Sequence, residues 1–156
     1  MPETLVVQAE MAELERVRVW ADAIGERLGL PQSTLFAIHL CFEEAVSNIV
    51  RHGFVPHPGE APPNKDVRLA LAREDGAVTA TIEDHGVAFD PLGVTDPAGP
   101  ATLDEATVGG LGISLMRQFA QHLAYERRDG MNRLTLRFAP PEQTGLERDR
   151  RGRDPL

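Results

Sequence analysis

The chain has 156 residues, a formal net charge of −8, 42% apolar residues and 5% aromatic ones. That length suits one ordinary domain, and the composition excludes intrinsic disorder in favour of an aliphatic core of Leu, Val, Ile and Ala. The acidic balance disfavours a nucleic-acid partner, because phosphate backbones are met by clustered Lys and Arg.

The N-terminus, Met1-Pro2-Glu3, is not a basic segment leading into an apolar run, and nowhere do about eighteen apolar residues follow one another. Neither secretion nor a membrane span is expected, and the reading is cytoplasmic. Thr4 to Gln8 read as a short strand. Met11, Leu14, Val17, Ala21, Ile24 and Leu28 then recur every three or four residues, one helical stripe that Gly29 and Pro31 end. A second helix is predicted from Ser33, a residue suited to N-capping, to Gly53, with Leu35, Ile38, Phe42, Ala45, Val46 and Ile49 on its apolar side. Cys41, the only cysteine, excludes an internal disulfide, and its neighbours predict a buried thiol. Its proximity to His39 predicts core packing, because His39, Cys41, His52 and His57 lack a zinc spacing.

Phe54 to Asn64 holds four prolines and a glycine and reads as a loop. Val67, Leu69 and Leu71 alternate with smaller or polar residues, as do Val78, Ala80 and Ile82, so Glu74-Asp75-Gly76 becomes the turn of a hairpin. Its second strand delivers Glu83-Asp84-His85-Gly86 to the carboxyl end. Val87 to Val108, with three prolines and little periodicity, is long for a structureless connection and predicts a functional lid or a disordered segment. A helix from Gly110 follows, with Ile113, Met116, Phe119, Ala120 and Leu123 on one face. Strands around His122 to Arg127 and Asn132 to Phe138 are joined at Asp129-Gly130. The order predicts an α+β fold, one mostly antiparallel sheet with helices on one face, in a single domain over 1–139. A charged, flexible tail is expected over 140–156, where Arg148 to Arg153 are interleaved with Asp149 and Asp154.

Three patterns carry candidate chemistry. Glu44 and Asn48 are four apart on the second helix and leave one face. The pair reads either as a solvated helix face or as a site in which Asn48 offers magnesium a neutral hard oxygen and Glu44 is a general base for phosphoryl transfer. Asp84, two residues before Gly86, reads either as an Asp-x-Gly turn or as a carboxylate that selects the exocyclic amine of adenine, beside a chain that something approaches closely. Gly109-Gly110-Leu111-Gly112 opens a helix, where free amides favour phosphate, and equally marks a hinge. No Walker-type lysine follows these glycines, and Ser33, Ser47 and Ser114 lack a nucleophile-elbow context.

Taken in order, these motifs resemble the GHKL-type ATPases, whose elements are an Asn-bearing helix, an Asp-x-Gly loop and a glycine-rich second loop. The chain is most similar to the small anti-sigma factors and serine kinases of bacterial partner-switching systems. The matching residues are Glu44-Ala45-Val46-Ser47-Asn48, Asp84-x-Gly86 leading into Phe89-Asp90-Pro91, Gly110-Leu111-Gly112 and the closing Asp129 to Leu136. Ala88 stands where broader relatives have a second glycine. The resemblance implies a two-layer α/β sandwich of the Bergerat type that binds ATP and Mg2+. In it Asn48 would ligate magnesium, Glu44 would be the catalytic base, Asp84 would bind adenine, and Val87 to Val108 would form the lid. It also implies a protein serine/threonine kinase that phosphorylates a small anti-sigma-factor antagonist and sequesters a sigma factor, with a homodimer among its assemblies. Two other readings stand beside it. One is a nucleotide-binding partner-switch module without kinase activity. The other is a histidine-kinase catalytic domain, which would need a phosphoacceptor His before an acidic residue, whereas His39 precedes Leu40.

Overall fold

The computed structural model describes residues 1–54, 58–59, 63–89 and 116–139. Within them the order is β1 (Glu3–Gln8), a 3-10 turn (Met11–Glu13), α1 (Leu14–Arg27), α2 (Gln32–His52), β2 (Asp66–Glu74), β3 (Ala77–Asp84), β4 (His122–Arg128) and β5 (Met131–Phe138). Residues 116–119 are helical.

Alternation of apolar and polar residues makes the sheet. Its strands pair antiparallel throughout, in the order β1-β2-β3-β5-β4. Each hairpin turns on an Asp-Gly pair: Asp75 and Gly76 have φ of 53° and 78°, Asp129 and Gly130 of 53° and 75°. Left-handed geometry at both positions is that of a type I′ turn, whose twist matches the flanking strands. The hairpins meet where β3 pairs with β5, which sets Leu69, Ile82 and Leu134 abreast, and likewise Leu71, Ala80 and Leu136.

That face is buried under Val17, Ala21 and Ile24 of α1 and Ile38, Phe42 and Val46 of α2. On the opposite face Arg133 reaches Glu83 at 3.1 Å. The result is the α+β arrangement predicted, with helices on one side of the sheet. Among the described residues no helix is long and apolar enough to cross a membrane.

The helix starts differ from expectation. Pro31, with φ −58° and ψ 148°, occupies the N-cap of α2 without a side-chain cap bond, and Ser33 lies exposed in the first turn. Proline fixes φ and ends the preceding chain in extended geometry, so it starts the helix two residues earlier than the serine would. Met11 is 52% exposed rather than part of the buried stripe. It belongs to the 3-10 turn, whose tighter winding takes it out of phase with α1. His39 is not core packing either: its Nε2 lies 2.7 Å from Asp22 Oδ1, bridging α2 to α1 at the surface.

Cys41 is 1% exposed, and burial pushes its thiol from an ordinary 9.0 up to about 12. The unfolded chain loses this proton near pH 9.0 while the folded chain keeps it, so the contribution to stability is complete below 9.0 and is lost as pH rises towards about 12. In urea denaturation the midpoint of wild type is expected to fall more steeply between pH 9 and 11 than that of Cys41→Ala. Parallel curves would show that the thiol titrates alike in both states.

Candidate functional site

The apolar side of α2 lies on the sheet, and its neighbouring side overhangs the carboxyl end of β3. There it brings Asn48, 4% exposed, to a cleft that encloses about 480 Å³ with its open mouth included. Ile49, Ile82, Met116 and Leu134 give the cleft apolar walls, and Asp84, Tyr125 and Asn132 give it polar ones.

Asp84 is 6% exposed and is held by donors, as a buried carboxylate must be. Its Oδ1 accepts from the Gly86 backbone N–H at 2.9 Å and from Asn132 Nδ2 at 3.1 Å. Asn132 in turn accepts at Oδ1 from the Tyr125 hydroxyl and, at 2.8 Å, from Arg127 Nη1, while its Nδ2 also donates to the Val87 carbonyl at 2.9 Å. The same Arg127 nitrogen donates to the Gly86 carbonyl at 3.0 Å. Asp84 and Asn132 face each other in the β3–β5 register, as Arg127 and Asn132 do in β4–β5. The sheet itself therefore delivers these side chains to one spot.

Gly86 admits a close approach, as the sequence predicts, and here the neighbour is the end of α2. A Cβ on Gly86 would lie 2.6 Å from the Gly53 carbonyl oxygen and 2.9 Å from Gly53 Cα. The Val87 N–H donates to that Gly53 carbonyl at 2.9 Å. The helix and the Asp84 loop are thus joined backbone to backbone. Beside this junction His52 stacks on Phe89, ring centroids 5.8 Å apart and planes 22° from parallel.

Asn48 Oδ1 is a buried oxygen with no hydrogen-bond partner among the described residues. Leaving such a group unmade costs about 1–3 kcal/mol, so an atom in this state calls for a ligand that supplies what the protein does not. A neutral hard oxygen facing a cleft fits magnesium. Among the described residues no cluster of three or more His, Cys, Asp or Glu could enclose a metal. An ion at Asn48 would draw most of its coordination from water and a bound phosphate, the habit of magnesium.

Asn48, Asp84 and Gly86 are therefore brought together. Glu44 lies half-buried one turn before Asn48, outside the residues that line the cleft. Gly109, Gly110, Leu111 and Gly112, and the lid beyond Phe89, lie outside the described residues. Sequence reasoning misses Tyr125, Arg127 and the role of Asn132. The Asp129-Gly130 turn could have paired Arg127 with Asn132, but nothing local announces the β3–β5 pairing that carries Asn132 to Asp84.

A model of the histidine kinase-like ATPase domain matches residues 7–138. The chain belongs to that family. Among relatives of this histidine kinase-like ATPase, the serine/threonine-protein kinase BtrW of Bordetella bronchiseptica is 39% identical over 118 residues, which are 75% of this chain and 79% of that protein. The RsbU and RsbW domains of Rv1364c from Mycobacterium tuberculosis share its fold with a TM-score of 0.59 at 19% identity, over 89% of this chain and 32% of that one. A chain of the SiaB–SiaC complex from Pseudomonas aeruginosa does so with a TM-score of 0.53 at 14% identity, over 87% and 88% respectively.

Gly86→Ala is expected to destabilise this ATPase domain by about 1–3 kcal/mol in urea denaturation, because the added carbon meets backbone rather than a side chain that can turn away. An unchanged midpoint would show that the Gly53 contact is looser than its geometry.

Proposed function

We propose that this protein is a serine/threonine protein kinase of the partner-switching type. It would transfer the γ-phosphate of ATP to a small antagonist protein and sequester a sigma factor, in the cytoplasm. One observation carries the reading. Asn48, whose Oδ1 has no hydrogen-bond partner among the described residues, and the buried Asp84 line one cleft, and Glu44 stands one helical turn from Asn48. The 39% identity to a protein named a serine/threonine-protein kinase supports the reaction class. The likeness to a chain of the SiaB–SiaC complex supports a protein as the partner.

In this reading Asp84 accepts a hydrogen bond from the adenine amine, and the apolar walls of Ile49, Ile82 and Met116 exclude water from the base. Asn48 would hold magnesium through Oδ1. Magnesium and ATP, when bound, supply the phosphoryl group and the positive charge that offsets the charge developing on it. Glu44 would accept the proton of the attacking hydroxyl. Among the described residues its carboxylate has no hydrogen-bond or ion-pair partner, which leaves it available for that task. Gly109, Gly110, Leu111 and Gly112 would give their amides to phosphate. Residues 1–139 would act as one ATP-binding domain, with 140–156 as a charged tail. Phosphorylation adds about −2 charge to the antagonist surface and would release it.

The position of Glu44 outside the cleft lining also suits a second reading, a nucleotide-binding module that switches partners without transferring phosphate. The two separate in a transfer assay with Mg-ATP and the cognate antagonist. Glu44→Ala is expected to lower transfer about 10²–10⁴-fold while leaving ATP affinity intact; equal transfer by both proteins would leave the binding module standing. In calorimetric titration Asp84→Asn is expected to weaken ATP binding, and Asn48→Ala to lose its magnesium dependence. Full magnesium dependence in Asn48→Ala would remove the ion from α2.

A further inference from the structure

We infer that Tyr125, Arg127 and Asn132 form a clamp that decides which purine the cleft accepts, acting as positioning residues through Asp84. The inference rests on the nucleotide reading of the cleft and adds the element that would make it selective.

A carboxamide presents an acceptor on one side and two donors on the other, and its partners decide which way it stands. Here the decision has one outcome. Arg127 Nη1, 2.8 Å from Asn132 Oδ1, belongs to a guanidinium that donates and never accepts. The Tyr125 hydroxyl donates to the same oxygen. Reversing the amide would set its NH2 against a cationic donor and its oxygen against the Asp84 carboxylate. The NH2 group is therefore fixed towards Asp84 Oδ1 at 3.1 Å and the Val87 carbonyl at 2.9 Å.

The consequence falls on Asp84. Its Oδ1 already accepts from Gly86 N–H and Asn132 Nδ2, which fixes the plane of the carboxylate. Oδ2, without a protein partner among the described residues, remains as its open acceptor, on a side chain that lines the cleft. With the amide locked and its NH2 already given to Asp84 and Val87, Asn132 offers the base no free donor, and Asp84 Oδ2 is the acceptor left beside it. A base with an exocyclic amine, such as adenine, supplies the missing hydrogen. A base with a carbonyl at the same place, such as hypoxanthine, sets oxygen against oxygen and leaves both unpaired, the situation in which sites built for hydrogen bonding discriminate most strongly.

All members of the clamp sit on one hairpin. Tyr125 and Arg127 point to the helix-covered side of β4, and the Asp129-Gly130 turn fixes Arg127 opposite Asn132. Adenine selection would thus be set partly from the far edge of the sheet: Arg127, which is not among the residues lining the cleft, would act on the base through Asn132 and Asp84.

The test measures ADP and IDP, which differ in the amine or carbonyl of the base, by calorimetric titration against wild type and Tyr125→Phe/Arg127→Met, with thermal melting to follow the fold. Wild type is expected to prefer ADP by at least about a hundredfold. The double variant is expected to narrow that preference about tenfold, the worth of roughly one hydrogen bond. A merely structural role would weaken both nucleotides alike and leave the ratio where it was; an unchanged ratio in the folded variant overturns the clamp. Should the double variant fail to melt cooperatively, Tyr125→Phe alone removes one donor at nearly constant volume, and its ratio is read by the same criterion. Failure of wild type to bind either nucleotide is a different result: it overturns the nucleotide reading of the cleft, and the clamp with it.

Discussion

The contact between Gly53 and Gly86 is the constraint on which the candidate site depends. One residue ends the helix that carries Glu44 and Asn48, and the other follows the strand that carries Asp84. Their backbones come within a distance that leaves no room for a side chain on Gly86. Any larger residue there would have to separate helix from loop and so move Asn48 away from Asp84. The bond from Val87 N–H to the Gly53 carbonyl closes the same junction and also gives the end of α2 an acceptor in use. Geometry that chemistry would require to within a fraction of an ångström is thus set by main chain, the least adjustable part of the protein.

Membership of the histidine kinase-like ATPase family gives this junction its meaning. Under the proposed reading the cleft would hold a base at one end and phosphates at the other. Two of the polar groups that line the cleft differ in kind: Asp84 is engaged with donors on one oxygen, while Asn48 Oδ1 is buried with no hydrogen-bond partner among the described residues. Under the proposed reading the first would be preorganised, and the second would be completed by its ligand. A site built this way spends folding energy on one end and reserves affinity for the other.

Much of this is legible in the order of residues alone. The alternation of Val67 to Leu71 and of Val78 to Ile82 follows from the period of a strand, and the Asp-Gly pairs specify turns that few other dipeptides permit. The Asn48 and Glu44 spacing follows from the pitch of a helix. Other features are set by contacts that local pattern does not encode. Pro31 overrides Ser33 as helix start because fixed φ acts before a side-chain cap can. Met11 leaves the apolar stripe because a 3-10 turn changes the period. Asn132 is visible only as part of a closing motif, since its task depends on pairing with a strand 48 residues earlier. Likewise, the glycine of the Asp84 loop announces a close approach but not that the approaching group is the protein's own helix.

The pairing of β3 with β5 divides the molecule in a further sense. Everything before it, β1, both long helices and the first hairpin, comes from residues 3–84, and the second hairpin comes from residues 122–138. Among the described residues the two parts join in the sheet along one ladder, and Asp84 and Asn132 are its last rung. A molecule lodged in the cleft touches walls from both parts, Asn48 and Ile82 on one side, Tyr125 and Leu134 on the other. Occupancy would therefore act as a clasp across the seam. The mechanical cohesion of the sheet and the filling of the cleft become one quantity, read in either direction.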